Sequence, residues 1–208
     1  MGKEFWINRW EQGAIGWHQS EVEPALKEWA SGRKPTRILV PLCGKTLDMV
    51  WLRDQGYEVV GVELSSLACE TFFNENQIPF KKTQVGNYFL YEGERILLIN
   101  GDFFELDQKL VGDLGAVYDR AALIALPPKL RLKYSQKIID FKVPEIFQIV
   151  LVRSPLDEEG PPYCVTPDEV SDLYGKFYNI QILKRYPVEA RGPIGSVAEE
   201  CLLQLLHK

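Results

Sequence analysis

The chain's pattern predicts a doubly wound α/β sheet, on three observations. Apolar runs such as "RILVPL" (37–42) and "YEVVGVELS" (57–65) are short and rich in β-branched residues, as buried strands are. Helical stretches with recognisable caps alternate with these runs through the middle of the chain, and that alternation selects β-α-β units. The last two apolar runs, "YNIQILKRY" (178–186) and "AEECLLQLL" (198–206), read as an antiparallel pair.

Taken in order, "HQSEVEPALKEWASG" carries a capping box, with Ser20 as N-cap and Glu23 three residues on. Val22, Leu26 and Trp29 then share one helical face, and Gly32 closes the segment. After the first strand, Thr46 is positioned to cap a helix whose inner face carries Leu47 and Trp51, with Gly56 at its end. Ser65 can cap a further helix running through Phe72 and Phe73 towards Asn76. "NYFLYEGERILLINGDFFEL" is two apolar runs joined around Glu92-Gly93, a hairpin leading into a core strand. "GAVYDRAALIAL" gives a strand ending at Asp119, and Pro128 suits the first turn of the next helix. Leu130, Tyr134, Ile138 and Phe141 line one face of that helix. "EIFQIVLVR" is another core strand. A loop dense in Pro and acid follows, and Thr166 with Glu169 makes a second capping box before Gly175.

At 208 residues the chain has the length of one domain over 1–208, with residues 1–35 an N-terminal helical lid segment. A net charge of -5 argues against a nucleic-acid footprint, which needs surplus Lys and Arg. No apolar stretch is long enough to span a membrane, and charges interrupt the N-terminus where a signal peptide needs an apolar core. Cys43, Cys69, Cys164 and Cys201 lie far apart without a CxxC pair, so they read as reduced thiols. Two histidines, His18 and His207, are too few for a His-based metal site. The expected location is the cytoplasm.

The stretch "PLCGKTLDM" raises the functional question, because strand, glycine turn and helix is how many folds bring backbone N–H groups to a nucleotide. A triphosphate loop needs a second Gly five positions before Gly44, and that place is Leu39, inside the strand. A dinucleotide site needs G-x-G-x-x-G to let backbone approach a pyrophosphate, and only Gly44 is present. Glu63 does fit, because it lies 19 residues after Gly44, close to the spacing at which a carboxylate grips ribose hydroxyls. Capping of the helix behind Ser65 is the alternative role for Glu63. Asp102 in "NGDFF" can accept from an adenine amino group with Phe103 against the ring, or it is a turn Asp beside Gly101. Gly44, Glu63, Asp102 and Asp119-Arg120 all fall at carboxyl ends of strands, where open α/β sheets bind ligands. Adenosine without phosphates is the profile of S-adenosylmethionine.

The stretches "FWINRWEQGAIGWHQ", "PLCGKTLDM", "VVGVELS", "YDRAALIALP" and "EGPPYCV" together resemble the thiopurine S-methyltransferases, particularly their bacterial branch. The resemblance implies a Rossmann-like class I methyltransferase with a seven-stranded, mostly parallel sheet and S-adenosylmethionine as methyl donor, S-adenosylhomocysteine being the product. It implies cofactor positions at Trp10, Leu42, Glu63 and Arg120, with Gly44, Asp102 and Phe103 beside them. It also implies that Trp17 helps roof the acceptor site and that Arg191 lies near the acceptor, and a cation such as Arg120 or Arg191 would hold an anionic one. A Trp10 ring can cover the sulfonium and exclude water, or simply pack an N-terminal helix. Arg120 can grip the cofactor carboxylate bidentately, or bridge Asp119 or Glu63.

Methyl transfer from a sulfonium is an in-line displacement in which the protein supplies alignment and a dry pocket. An acidic thiol or selenol acceptor arrives ionised, so no strong base is required, and His18 is at most a weak one. The expectation is a monomeric S-methyltransferase of small aromatic or heterocyclic thiols. Resemblance to bacterial members adds methylation of selenium or tellurium compounds in detoxification. Its rivals are an NAD-dependent oxidoreductase and a non-catalytic nucleoside-binding α/β protein.

Overall fold

In a computed structural model the described residues are 2–154, 160–189 and 197–208. The chain divides into two compact units, Met1–Asp113 and Leu114–Lys208.

The first unit opens with helix α1 (Lys3–Glu11) and helix α2 (Pro24–Ala30). Strand β1 (Arg37–Pro41), helix α3 (Asp48–Asp54), strand β2 (Glu58–Glu63) and helix α4 (Ser66–Glu75) then form the expected β-α-β run. Strands β3 (Phe80–Val85), β4 (Tyr88–Gly93) and β5 (Ile96–Asn100) follow, then the one-turn helix α5 (Gln108–Val111). Strand order within this unit is β3-β4-β5-β2-β1. The β1–β2 and β2–β5 pairings are parallel, and β3–β4 and β4–β5 are antiparallel. Register puts Glu63 opposite Asn100, so the carboxyl ends of β2 and β5 finish together. The core is made by Ile38, Leu39, Val60, Val62 and Leu98 of the strands, with Phe72 and Phe73 of α4 against them.

The second unit holds strand β6 (Ala116–Arg120), helix α6 (Pro128–Asp140), strand β7 (Glu145–Ser154) and helix α7 (Pro167–Tyr174). Strands β8 (Tyr178–Val188) and β9 (Val197–His207) end it as the expected antiparallel pair. The order is β6-β7-β9-β8, with β6–β7 parallel and β7–β9 antiparallel. Arg131 of α6 is 3% exposed and meets Glu169 of α7 at 2.7 Å, which ties the two helices by a charge pair.

Several expectations are corrected. Nine strands are present among the described residues where seven were expected, and the pairings within the units are four antiparallel to three parallel, not mostly parallel. The strand that sequence reading passed over is β3, "FKKTQV", which runs half-buried to exposed and carries no apolar alternation. Helix α2 begins at Pro24, not after Ser20, because Pro24 takes the first helical position and the Glu23 side chain accepts from Ala25 N at 3.1 Å. Helix α3 buries Met49 and Leu52, leaving Leu47 and Trp51 half-buried, a one-residue rotation of the expected inner face. Its first turn is tied elsewhere: the buried Asp48 accepts from Glu23 N at 2.8 Å. Thr46 sits one residue before the N-cap and its hydroxyl accepts from Asp48 N at 3.3 Å. The caps at Ser65 and Thr166 form as expected, each accepting from the backbone N–H three residues on.

Candidate active site

The turn after β1 is built from two left-handed residues, Leu42 at φ 48° and Gly44 at φ 54°. For Leu42 that conformation is uncommon, so the surroundings must hold it. Two clamps do so: Cys43 N donates to Val62 O at 3.0 Å, and Gly44 N donates to Glu63 Oε2 at 2.8 Å. Gly44 is also a contact surface, since a Cβ there would lie 3.2 Å from Cζ2 of Trp10. Thus Trp10, buried on α1, lies directly over the turn.

Glu63 is 6% exposed at the carboxyl end of β2. Its second oxygen, Oε1, accepts from Ser65 N at 2.8 Å, so one carboxylate bridges the β1 turn and the start of α4. The local backbone-tying role anticipated from sequence is present in the bond from Ser65 N at the start of α4. Burial pushes its pKa up, and the N–H groups of Ser65 and Gly44 oppose that. The neighbouring Cys43 thiol is raised well above its ordinary value by burial and by the Glu63 charge, which makes it a packing residue and not a nucleophile.

Asn100 at the end of β5 donates to the carbonyls of Glu63 (3.1 Å) and Leu64 (2.9 Å), and Gly101 N donates to Glu63 O at 2.9 Å. Asp102 follows. Its Oδ1 caps Phe104 N at 2.9 Å and its Oδ2 meets Lys3 Nζ of α1 at 2.6 Å. The turn-Asp role anticipated for it is therefore real, and an ion pair to α1 is added. Phe103 is 1% exposed with its ring edge-on to Phe104, so this stretch offers a ligand backbone groups and not a ring face. Asn100 and Lys3 were missed by sequence reading. Asn100 was legible as the one polar residue ending an apolar strand, whereas nothing local marks Lys3.

The first unit also gathers the N-terminal aromatics. Trp17 meets Trp10 edge-to-face at 6.0 Å and Trp6 at 5.3 Å, and Phe5 meets Trp6 at 5.2 Å. His18 is half-buried beside Trp17, its backbone N–H bonded to Ile15 O at 2.8 Å.

In the second unit, Arg120 ends β6 half-buried and is followed by Ala121 at φ 63°. Asp119 is fully buried, and its Oδ2 accepts from Tyr134 Oη (2.9 Å) and Gln148 Nε2 (2.8 Å). Its Oδ1 accepts from Leu123 N at 3.2 Å, which fixes the turn behind Arg120. Burial raises its pKa against these donors. Arg191 lies outside the described residues.

The structure thus brings a left-handed glycine turn at the end of β1 against a buried acid at the end of β2, at the carboxyl edge where open α/β sheets bind ligands. Solved structures agree on the fold. The chain superposes on magnesium protoporphyrin IX methyltransferase of Synechocystis with a TM-score of 0.69 at 12% identity, over 100% of both chains. It superposes on 1,6-didemethyltoxoflavin-N1-methyltransferase of Burkholderia thailandensis with a TM-score of 0.65 at 16% identity, over 99% of this chain and 87% of that one. The fold is therefore that of the class I S-adenosylmethionine-dependent methyltransferases. Sequence narrows it further. The family model for thiopurine S-methyltransferase matches residues 1–196. A thiopurine S-methyltransferase of Methylococcus capsulatus is 40% identical over 190 residues, 88% of this chain and 85% of that protein. One from Acinetobacter baylyi is 39% identical over 216 residues, spanning 100% of both. The chain belongs to the thiopurine S-methyltransferase family. Membership makes it a methyltransferase enzyme whose cofactor is S-adenosylmethionine. No helix of the described residues is long and apolar enough to cross a membrane.

Proposed function

We propose that this enzyme methylates the sulfur of small aromatic or heterocyclic thiols, and extends to selenium or tellurium compounds in a detoxifying role. The observation that carries the proposal is the Glu63 carboxylate. It is buried beside the left-handed Gly44 turn and accepts from Gly44 N and Ser65 N, which fixes it in place at the strand end.

On this reading Glu63 takes the ribose hydroxyls, and the Leu42–Gly44 turn with Trp10 encloses the sugar. Asp102 and the backbone at Phe103 meet the adenine edge. Arg120 holds the cofactor's carboxylate through a planar fork. Trp17 roofs the acceptor, and Arg120 and Arg191 attract it as an anion. Residues 1–35 act as the lid, since α1 supplies both Trp10 over Gly44 and Lys3 on Asp102.

When bound, the cofactor supplies an electrophilic methyl group and a neutral thioether leaving group. The protein's work is alignment of the acceptor's sulfur along the methyl–sulfonium axis and exclusion of water. An acceptor that arrives as thiolate or selenolate brings no proton to remove, which suits a site where the nearby His18 is not asked to act as a base. The chain is proposed to work as a cytoplasmic monomer.

The test is a labelled-methyl assay over a panel of aromatic thiols, alkyl thiols and selenite-derived selenols. Transfer to aromatic thiols with turnover insensitive to His18→Ala is expected. A variant losing about a thousandfold in turnover would restore a base to the mechanism.

A further inference from the structure

Arg9 is the feature of the first unit that the nucleoside-binding account leaves unused. It lies on α1 one residue before Trp10, half-buried, with its guanidinium carbon 5.3 Å from the Trp17 ring centroid and 5.7 Å from that of Phe5. Its Nε is buried and has no hydrogen-bond partner among the described residues. The contrast with other arginines is direct: Arg37, Arg131 and Arg185 each meet a carboxylate. Arg9 meets none among the described residues.

A guanidinium is always charged, and its N–H groups all lie in its own plane. Contact with aromatic rings satisfies the cation's electrostatics and supplies no in-plane acceptor for the buried Nε–H. A buried Nε–H of this kind is costly to leave unmade, so it fits a ligand that brings the missing oxygen. The position says which ligand. Trp10 covers the Gly44 turn, Trp17 stands one ring contact beyond Trp10, and Arg9 stands one contact beyond Trp17. The cation is thus two ring contacts away from the turn at which Glu63 sits. It belongs with the roof ring Trp17 and not with the ribose.

We propose that Arg9 is a specificity-determining residue of the acceptor site, reading a carboxylate carried by a flat aromatic thiol that packs against Trp17. The inference rests on the proposed function, because it assumes that Trp17 roofs the acceptor. It deepens that reading: acceptors with an in-plane anion are selected over neutral aromatic thiols of the same shape.

The experiment compares 2-mercaptobenzoate with its methyl ester, which has the same ring and thiol but no carboxylate. Both are measured with wild type, Arg9→Met and Arg9→Lys. A charge-assisted hydrogen-bond pair corresponds to about a 10- to 100-fold preference. Arg9→Met should therefore raise KM for 2-mercaptobenzoate by about that factor, change kcat by less than about threefold, and leave the ester's KM within about threefold. Arg9→Lys, which keeps charge without the fork, should fall between. Direct titration of 2-mercaptobenzoate onto cofactor-free protein, followed by Trp fluorescence, should show the same order. The melting temperature of each variant checks that it is folded.

Equal losses for both acceptors would make Arg9 a packing residue and overturn the inference. A weakened affinity for S-adenosylhomocysteine in Arg9→Met would overturn it too, by assigning the cation to the cofactor's carboxylate. A wild-type chain that binds no S-adenosylhomocysteine overturns the proposed function and this inference together. A chain that binds it, while Arg9 variants treat both acceptors like wild type, overturns this inference alone.

Discussion

Glu63 is the residue on which most depends, because its carboxylate holds the backbone of the β1 turn and the start of α4 and is proposed to take the ribose hydroxyls. We predict that Glu63→Gln weakens S-adenosylhomocysteine binding by about 1–3 kcal/mol in a calorimetric titration. The amide keeps the shape but sets an NH2 against one of the two N–H donors it now accepts from. A pH signature follows as well. Burial raises the pKa of Glu63 in the folded chain, so the folded state holds the proton more tightly than the unfolded one. The stability this lends is fully present below the unfolded pKa and is lost as pH rises through the folded pKa. Urea unfolding of wild type and Glu63→Gln should therefore differ most in wild type's favour at acid pH, with the gap closing towards neutral. Gly44→Ala should cost about 1–2 kcal/mol, from the left-handed backbone and the Trp10 ring 3.2 Å from the new methyl. At this scale the sequence made Glu63 and Gly44 legible through their spacing. Arg9 and Lys3 were not legible, because their roles depend on which ring or carboxylate the fold brings to them.

Elements differ in how firmly they are tied, and two of the ion pairs that join helices to their neighbours illustrate this. Lys3 is 56% exposed, so Lys3→Ala should cost less than about 1 kcal/mol in global unfolding even though its pair with Asp102 is 2.6 Å long. Arg131 is 3% exposed and Glu169 33%, so Glu169→Ala leaves a buried cation without its partner. A loss of about 2–3 kcal/mol is expected by urea unfolding, below the fully buried case because water reaches Glu169. The strands and helices readable in advance were those with an apolar run, a period or a cap: β1, β2, the β4–β5 hairpin, β6, β7, the β8–β9 pair, and the helices behind Ser65, Pro128 and Thr166. Strand β3 was not, since "FKKTQV" is an edge strand at the limit of the sheet, set by pairing with β4 and not by burial. The start of α2 was misplaced because a capping-box pattern at Ser20 competes with Pro24, and the proline's fixed φ wins.

For the whole molecule, the family and the fold agree on a methyltransferase, and the proposed cofactor site would favour a nucleoside over its phosphate-bearing relatives. A melting-temperature screen should show stabilisation by S-adenosylmethionine and S-adenosylhomocysteine, and none by NADH or ATP, because the sequence lacks the further glycines with which phosphate-cradling loops approach a phosphate chain. The most direct measurement is a crystal structure of the chain with S-adenosylhomocysteine bound. Both ribose hydroxyls should lie within hydrogen-bond distance of the Glu63 carboxylate, with Trp10 closed over the Gly44 turn. A nucleoside bound elsewhere, or a diol out of reach of Glu63, would contradict the account.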